Sequence, residues 1–273
     1  MATTFLIEET AFDKEVAQRF TYAAMEVTED VRILDYVPFG GTVYDIIEDV
    51  KNPLIFYGSL NMLKDCMKKG KTIAPFAWCD WDTLCCHTYY AHYGPYLVQR
   101  EYGFYPFAEI LRKQDWLYKT YGADDKVFIR PDGNDKAFNG EVVTKAMLYH
   151  WYSQAMLYEP PPNTICVVSK PVKIAAEWRL VIADGKVIAN CLYREGGMFC
   201  PQTTEKDDRT ERVIQFAEEM AGLWQPHPIF VMDIAETYDE WLKILEIGPV
   251  NAAGFYKCDV RPIVEKMAEI ANR

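Results

Sequence analysis

The sequence predicts a mixed fold, α/β over its first third and α+β behind it. Two observations carry this. Ahead of residue 95 an apolar strand runs through a Gly-Ser turn directly into a helix, the sequence form of an α/β unit. Beyond residue 120 strand pairs joined by turns alternate with helices. With 273 residues, half of them hydrophobic, the chain can bury a core of good size in one large domain or two small ones.

The elements follow in order. Residues 31–36 read as a strand, Gly40-Gly41 as a turn, and 45–50 as a helix that Asn52-Pro53 breaks. Residues 54–57 are a short apolar strand, and Gly58-Ser59 opens a helix that runs to Lys68. Residues 76–99 are rich in aromatics, Cys and His without a clear period and read as loop and short helix. Residues 107–121 predict a helix closed by Gly122. A strand over 126–130 leads into a polar loop, 131–140, with Gly133 and Gly140. Residues 142–157 predict a helix, and Pro160-Pro161-Pro162 a stiff connection. Strands follow at 164–168, 175–183 and 186–194, then a helix at 209–223. A second strand pair, 229–235 and 241–247, precedes a closing helix at 260–271.

Composition bounds the function. Lys plus Arg total 29 against 40 Asp plus Glu, a net charge of -11, which disfavours a broad nucleic-acid surface but leaves room for a small basic pocket. Lys64, Lys68, Lys69 and Lys71 form a local basic run, read as a solvated helix face. The 8 cysteines include no CxxC pair and several sit in apolar runs, such as Cys166 in Ile165-Cys166-Val167-Val168. Buried reduced thiols and a cytoplasmic location are expected. The cluster Cys79, Cys85, Cys86 and His87 matches no common zinc spacing. The first residues read as no signal peptide, and no apolar run reaches the roughly 18 residues needed to span a bilayer.

Two hairpins carry the chemistry. Asp184-Gly185 between β-rich runs predicts a two-residue turn. It pairs Ala183 with Lys186, Arg179 with Asn190 and Ala175 with Arg194. One face then holds Trp178, Leu180, Ile182, Val187, Ala189, Cys191 and Tyr193, a core face. The other holds Glu177, Arg179 and Arg194, and is either a solvated face with an ion pair or the lining of an anion cleft. In the second hairpin Asp233 and Glu246 interrupt apolar strands. A loop over 237–240 pairs Asp233 with Ile244 and Val231 with Glu246, so the carboxylates share a face on a diagonal, roughly 7–8 Å apart at the backbone. They either hold Mg²⁺ against a nucleotide's phosphates or pair with nearby Lys or Arg. The loop after residue 130 offers Arg130, Lys136 and two glycines, a set that can cover phosphates, though it is no Walker loop.

Together these pieces resemble the ATP-grasp superfamily, and more narrowly the small uncharacterised ATP-grasp domain proteins of phage and bacterial genomes. The matching stretches are Val127-Phe128-Ile129-Arg130-Pro131 with Lys136-Ala137-Phe138-Asn139-Gly140, and Glu177-Trp178-Arg179 with Tyr193-Arg194. Val231-Met232-Asp233, Glu246-Ile247, and Asn251-Ala252-Ala253-Gly254-Phe255-Tyr256 with Asp259 follow in the same order. Phe56-Tyr57-Gly58-Ser59-Leu60 resembles the turn of the preceding domain in that branch.

The resemblance implies a Rossmann-like pre-ATP-grasp domain over residues 1–95 and an ATP-grasp domain over 96–273, with lobes of about 96–168 and 169–273. It implies ATP and Mg²⁺ as cofactors and an ADP-forming ligase that activates a carboxylate as an acyl-phosphate for attack by an amine or similar nucleophile. Arg130, Lys136 and Glu177 are implied to bind the nucleotide, with Ser169-Lys170 in the hinge that meets adenine. Arg179 and Arg194 are implied to face the γ-phosphate and acyl-phosphate, and Asp233 and Glu246 to hold Mg²⁺. The family often carries Glu-x-Asn here; this chain has Gly248 two residues after Glu246, which leaves Asn251 as the candidate third ligand. The implied partners are ATP and a carboxylate and a nucleophile substrate of unknown identity, with no membrane. The alternatives are action on nucleic-acid ends or bases, and nucleotide binding without turnover.

Overall fold

The computed structural model describes residues 3–37, 50, 53–68 (side chains of 65–68 excepted), 77–133, 137–204 and 206–273. Its strands are β1 (Thr4–Glu8), β2 (Val31–Leu34), β3 (Leu54–Tyr57), β4 (Tyr102–Pro106), β5 (Lys126–Pro131), β6 (Glu141–Thr144), β7 (Ile165–Ser169), β8 (Ile174–Ala183), β9 (Lys186–Glu195), β10 (Met198–Thr203), β11 (Ile229–Thr237) and β12 (Leu242–Gly248). Its described α-helices are α1 (Lys14–Val27), α2 (Leu60–Lys68), α3 (Cys86–Tyr93), α4 (Glu109–Arg112), α5 (Gln114–Tyr121), α6 (Leu148–Ala155), α7 (Asp208–Leu223) and α8 (Arg261–Ala271). Two compact units emerge: Met1–Cys79 with Ala176–Ile234 and Glu246–Arg273, and Asp80–Ala175 with Ala235–Leu245.

In the first unit a parallel sheet runs in the order β2-β1-β3, with Phe5 opposite both Val31 and Ile55. The strand-turn-helix signal at Gly58 is real. A Cβ there would meet the Glu8 Cβ at 2.7 Å, so the close approach of β1 requires glycine. Ser59 N–H donates to Glu8 Oε2 at 2.8 Å, and Ser59 Oγ caps α2 by accepting from Met62 N–H. The core stacks Phe20 on Tyr57 at 3.9 Å and Tyr57 on Phe255 at 5.3 Å, and closes with Val264, Met267 and Ala268 of α8.

The five-stranded sheet, in the order β10-β9-β8-β11-β12, corrects the first hairpin. The Asp184-Gly185 turn forms with positive φ at both residues, and Ala183 pairs with Lys186. A bulge then leaves Ile188 unpaired, so Arg179 lies opposite Cys191, not Asn190. A second bulge at Tyr193 sets Glu177 opposite Arg194 and Ala176 opposite Glu195. The first bulge moves Cys191 onto the arginine face. Towards the turn that face is buried, with Val181, Ala183, Ala189, Cys191 and Tyr193 packed into the first unit's core beside Phe5 and Phe255, while Arg194 at the far end stays partly exposed. Trp178, Leu180 and Ile182 are buried as well, so the β8 strand is covered on both faces.

In the second unit an antiparallel sheet runs β4-β7-β5-β6, with Ile129 opposite Val168 and Glu141. Val127, Ile129, Val143, Cys166 and Val168 pack against Phe107, Ile110, Leu117 and Trp151. Two predicted helices change here. Residues 107–121 break into α4 and α5 at Lys113, whose φ of -102° leaves the helical region. Residues 142–144 form β6 instead of opening a helix, because their β-branched side chains pair with β5, Val143 inward and Val142 outward. Strands β4 and β10 carry Pro and lie at sheet edges, which hid them from a propensity reading. The β1 strand and the α1 helix are not among the predicted elements, although Asp13 caps α1 and Val16, Ala17, Phe20 and Ala24 form its buried face. The predicted helix at 45–50 lies outside the described residues.

Candidate functional site

Strands β8 and β11 are neighbours, and each contributes one charge to a buried pair. Arg179 Nε donates to Asp233 Oδ1 at 2.9 Å and its Nη2 to Asp233 Oδ2 at 2.7 Å, a bidentate clamp. The remaining nitrogen, Nη1, donates to the Gly254 carbonyl at 2.7 Å. The side chains are only 14% and 5% exposed. Beside the guanidinium lie the mutually stacked rings of Tyr256 at 4.7 Å and Tyr193 at 5.5 Å, both in cation–π range. Burial works against the arginine's charge, but the charge and hydrogen bonds of Asp233 and the two phenols outweigh it, so its pKa stands well above the usual value.

A second pair lies two residues away on β8. Glu177 Oε1 meets Arg194 Nε at 3.3 Å, and Glu177 Oε2 accepts from the Tyr193 hydroxyl at 2.7 Å. Arg194 Nη1 also donates to Gly197 O at 3.2 Å. This pair is more open, with Arg194 39% and Glu177 16% exposed. Burial, then the charges of Asp233 and Glu177, hold the Tyr193 phenol protonated well above its ordinary range. Glu246 on β12 reaches the same neighbourhood. Its charge is among those that raise Tyr256, after burial and Asp233.

Asn251 follows β12 and has a different task. Its Nδ2 donates to Phe56 O at 2.6 Å, its Oδ1 accepts Trp78 N–H at 2.7 Å, and its own carbonyl accepts Gly58 N–H at 3.0 Å. It is fully buried. An amide oxygen so committed ties the end of β3 to the loop after β12. It does not fit the role of the metal ligand that Gly248 lacks a side chain to supply. Asp233 and Glu246 are hard carboxylate donors of the kind Mg²⁺ takes, but both Asp233 oxygens are bonded to Arg179, the ion-pair alternative of the sequence reading.

The second unit holds the other candidates. Arg130 stands on β5 opposite Val167, and Gly140 passes close over it, 3.1 Å from an added Cβ to the Arg130 Cβ. Ser169 ends β7 fully buried, and its Oγ has no hydrogen-bond partner among the described residues, an orphan a nucleotide could satisfy. Lys170 N–H donates to Glu101 O at 3.2 Å, so a base at this hinge would have to use another group of the segment. Lys136 lies outside the described residues.

A family described as an ATP-grasp domain, the second family of its clade, matches residues 111–265, more than half of the chain. The chain belongs to this ATP-grasp family. Solved structures agree on the fold. D-cycloserine synthetase DcsG superposes with a TM-score of 0.64 at 13% identity, over 98% of this chain and 99% of that one. The D-alanine–D-alanine ligase of Bacillus anthracis, complexed with ATP, gives 0.62 at 12% identity, over 99% and 98%. The ATP-grasp ligase PsnB, complexed with a precursor variant, Mg and ADP, gives 0.54 at 12%, over 100% and 99%. At these identities the likeness is one of fold. No curated protein sequence matches significantly.

Within this ATP-grasp chain the first unit gathers Glu177, Arg179, Arg194, Asp233 and Glu246, while Arg130, Ser169 and Lys170 belong to the second. The residues that sequence reasoning missed are Tyr193 and Tyr256 as walls of the arginine, and the Gly254 carbonyl as its third acceptor. Tyr256 has a positive φ of 47°, a conformation a bulky residue adopts only when held. Arg19 holds it, donating to the Tyr256 and Cys258 carbonyls. No local pattern announces such a contact, because Arg19 lies more than 200 residues away in the chain. Cys79, Cys85, Cys86, Cys166, Cys191, Cys200 and Cys258 form no disulfide, and no described helix is long and apolar enough to cross a membrane.

Proposed function

We propose that the protein is an ATP- and Mg²⁺-dependent ligase that forms ADP, joining a carboxylate to an amine or similar nucleophile through an acyl-phosphate. Residues 1–95 would serve as the pre-ATP-grasp domain and 96–273 as the ATP-grasp domain. The observation that carries the reading is the layered charge set on β8, β9 and β11 in a chain of this family: a rigid Arg179–Asp233 pair and, beside it, the more open Arg194. Mg²⁺, held by Asp233 and Glu246, would neutralise phosphate charge as the γ-phosphoryl group leaves. Arg194 can release Glu177 and swing to an anion, since its partner bond is long and it is half exposed. Arg179 cannot turn so freely; its role is to fix the position of the Asp233 carboxylate. Arg130 supplies a cation from β5 for the nucleotide, and Ser169 Oγ a polar contact for it. Catalysis in this scheme rests on positioning and charge neutralisation.

One observation favours a second reading, nucleotide binding without turnover. Gly248 replaces the customary amide ligand, and Asn251 is committed to the backbone of Phe56 and Trp78. The test is a screen of carboxylate and amine mixtures with ATP and Mg²⁺, reading ADP, AMP and phosphate. ADP release that depends on both substrates supports the ligase. AMP release with joined oligonucleotides would move the protein to nucleic-acid chemistry. Saturable ATP binding with no release on any mixture supports the second reading.

A further inference from the structure

We propose that Cys85, His87 and Asp132 form a binding site for a divalent transition-metal ion of the zinc type, wholly within the second unit. Their ligand atoms, one thiol sulfur, one imidazole nitrogen and one carboxylate oxygen, all lie within 4.8 Å of one another. Ligands on a tetrahedral zinc stand roughly 3.3–3.8 Å apart, given bonds of about 2.0–2.3 Å. Small side-chain rotations therefore bring the three onto one ion, with a fourth position for water.

The frame around the cluster is built by the backbone. Cys85 is the residue that enters α3, and Asp132 follows β5. Cys86 N–H donates to the Asp132 carbonyl at 2.9 Å, and His87 N–H to Asp132 Oδ1 at 2.8 Å. The start of the helix is thus tied to the end of the strand, and the three side chains start from fixed positions. His87 Nδ1 and Asp132 Oδ2 are 2.6 Å apart and hydrogen-bonded to each other. The Cys85 thiol donates to Trp81 O at 3.0 Å and is half-buried, while the imidazole is exposed, so an ion can enter from solvent.

Donor chemistry selects the ion. A thiolate with an imidazole prefers Zn²⁺ and its softer neighbours to Mg²⁺ or Ca²⁺, which take oxygen ligands. The other thiols nearby do not compete. Cys86 is fully buried against the Tyr89 hydroxyl at 3.3 Å. Burial, helped by the charge of Asp132, pushes the Cys166 thiol up to about 12. The sequence put Cys79, Cys85, Cys86 and His87 in one window with no zinc spacing. The structure discards Cys79 and Cys86 and adds a carboxylate from 45 residues away.

The test uses the full chain, stripped of metal by a chelator and titrated with Zn²⁺ alone against a chromophoric competitor. One ion per chain is expected. Cys85→Ser and His87→Gln, both at accessible side chains, should each weaken it by more than about 100-fold, beyond the usual effect of a merely supporting residue. Cys200→Ser, a thiol in the other unit, should leave it unchanged. Co²⁺ in place of Zn²⁺ should give a near-ultraviolet thiolate charge-transfer band, absent in Cys85→Ser. Failure to bind one ion, unchanged affinity in both variants, or a Co²⁺ complex without that band would overturn the proposal. Circular dichroism of each variant keeps loss of the site separate from loss of the fold.

Discussion

Two arginine–carboxylate pairs sit two residues apart on the same strand and behave as different objects. Arg179 and Asp233 are buried beside a stacked pair of tyrosine rings, with every guanidinium nitrogen bonded. Arg194 and Glu177 lie towards the open end of the sheet, joined by one longer contact and a phenol. The chemical groups are alike; the dielectric around them is not. A charge pair taken out of water is costly to break, because either partner left alone is an uncompensated buried charge. A pair left near water is worth little and exchanges partners freely. The first is therefore framework that holds a ligand-bearing carboxylate still, and the second is a cation available to substrate.

Substitutions can break or sharpen this contrast, ranked here by their effect on stability. Asp233→Asn strands the Arg179 charge and should cost about 3–5 kcal/mol in a denaturant titration. Joining Arg179→Met to Asp233→Leu should recover most of that loss; a double variant as unstable as the single one would show that the pair is not what holds the site. Asn251→Ala should cost about 1–3 kcal/mol for each of the two backbone groups it abandons, Trp78 N–H and Phe56 O, whether or not Mg²⁺ is present. Stability that instead falls only when Mg²⁺ is removed would return Asn251 to the metal. Arg194→Ala should change stability by less than about 1 kcal/mol yet lower turnover by roughly 10²–10³-fold. Loss of folding without a specific loss of rate would erase the distinction.

The smallest effect comes from a third pair, used as a calibration of exposed ion pairs. Hydrogen bonds from Arg273 and Lys266 hold the Asp184 carboxyl down at about 2, against an ordinary 3.8. A depressed carboxylate contributes stability above about pH 4 and loses it as pH falls towards 2. Arg273→Ala should flatten that acid limb only slightly, since the pair is well exposed. An acid limb unchanged in that variant would assign it to other carboxylates.

Much of the fold was legible. The Asp184-Gly185 turn, the strand into Gly58-Ser59 and the closing helix all announce themselves through local chemistry. The site was legible as a list of charged residues in apolar strands, and Arg179, Glu177 and Arg194 do share a sheet region with Asp233. Their partners were not legible. Two bulges shift the hairpin register: the one at Ile188 carries Cys191 to the arginine face, and the one at Tyr193 sets Glu177 opposite Arg194. A bulge is a choice of one residue that packing makes, and alternation along the strand continues on either side of it.

The sequence by itself determined which residue types would be expensive to bury and in which strands they stood: Arg179 and Asp233 had to find partners or water, because an isolated charge in such strands is untenable. Tertiary structure alone decided which of those outcomes occurred. It put Arg179 on Asp233 and Gly254, tied Asn251 to Phe56 and Trp78, and brought Asp132 to His87. Each of these contacts spans 45 residues or more. Contacts of that length are chosen by the packing of whole strands and helices, so no local pattern contains them.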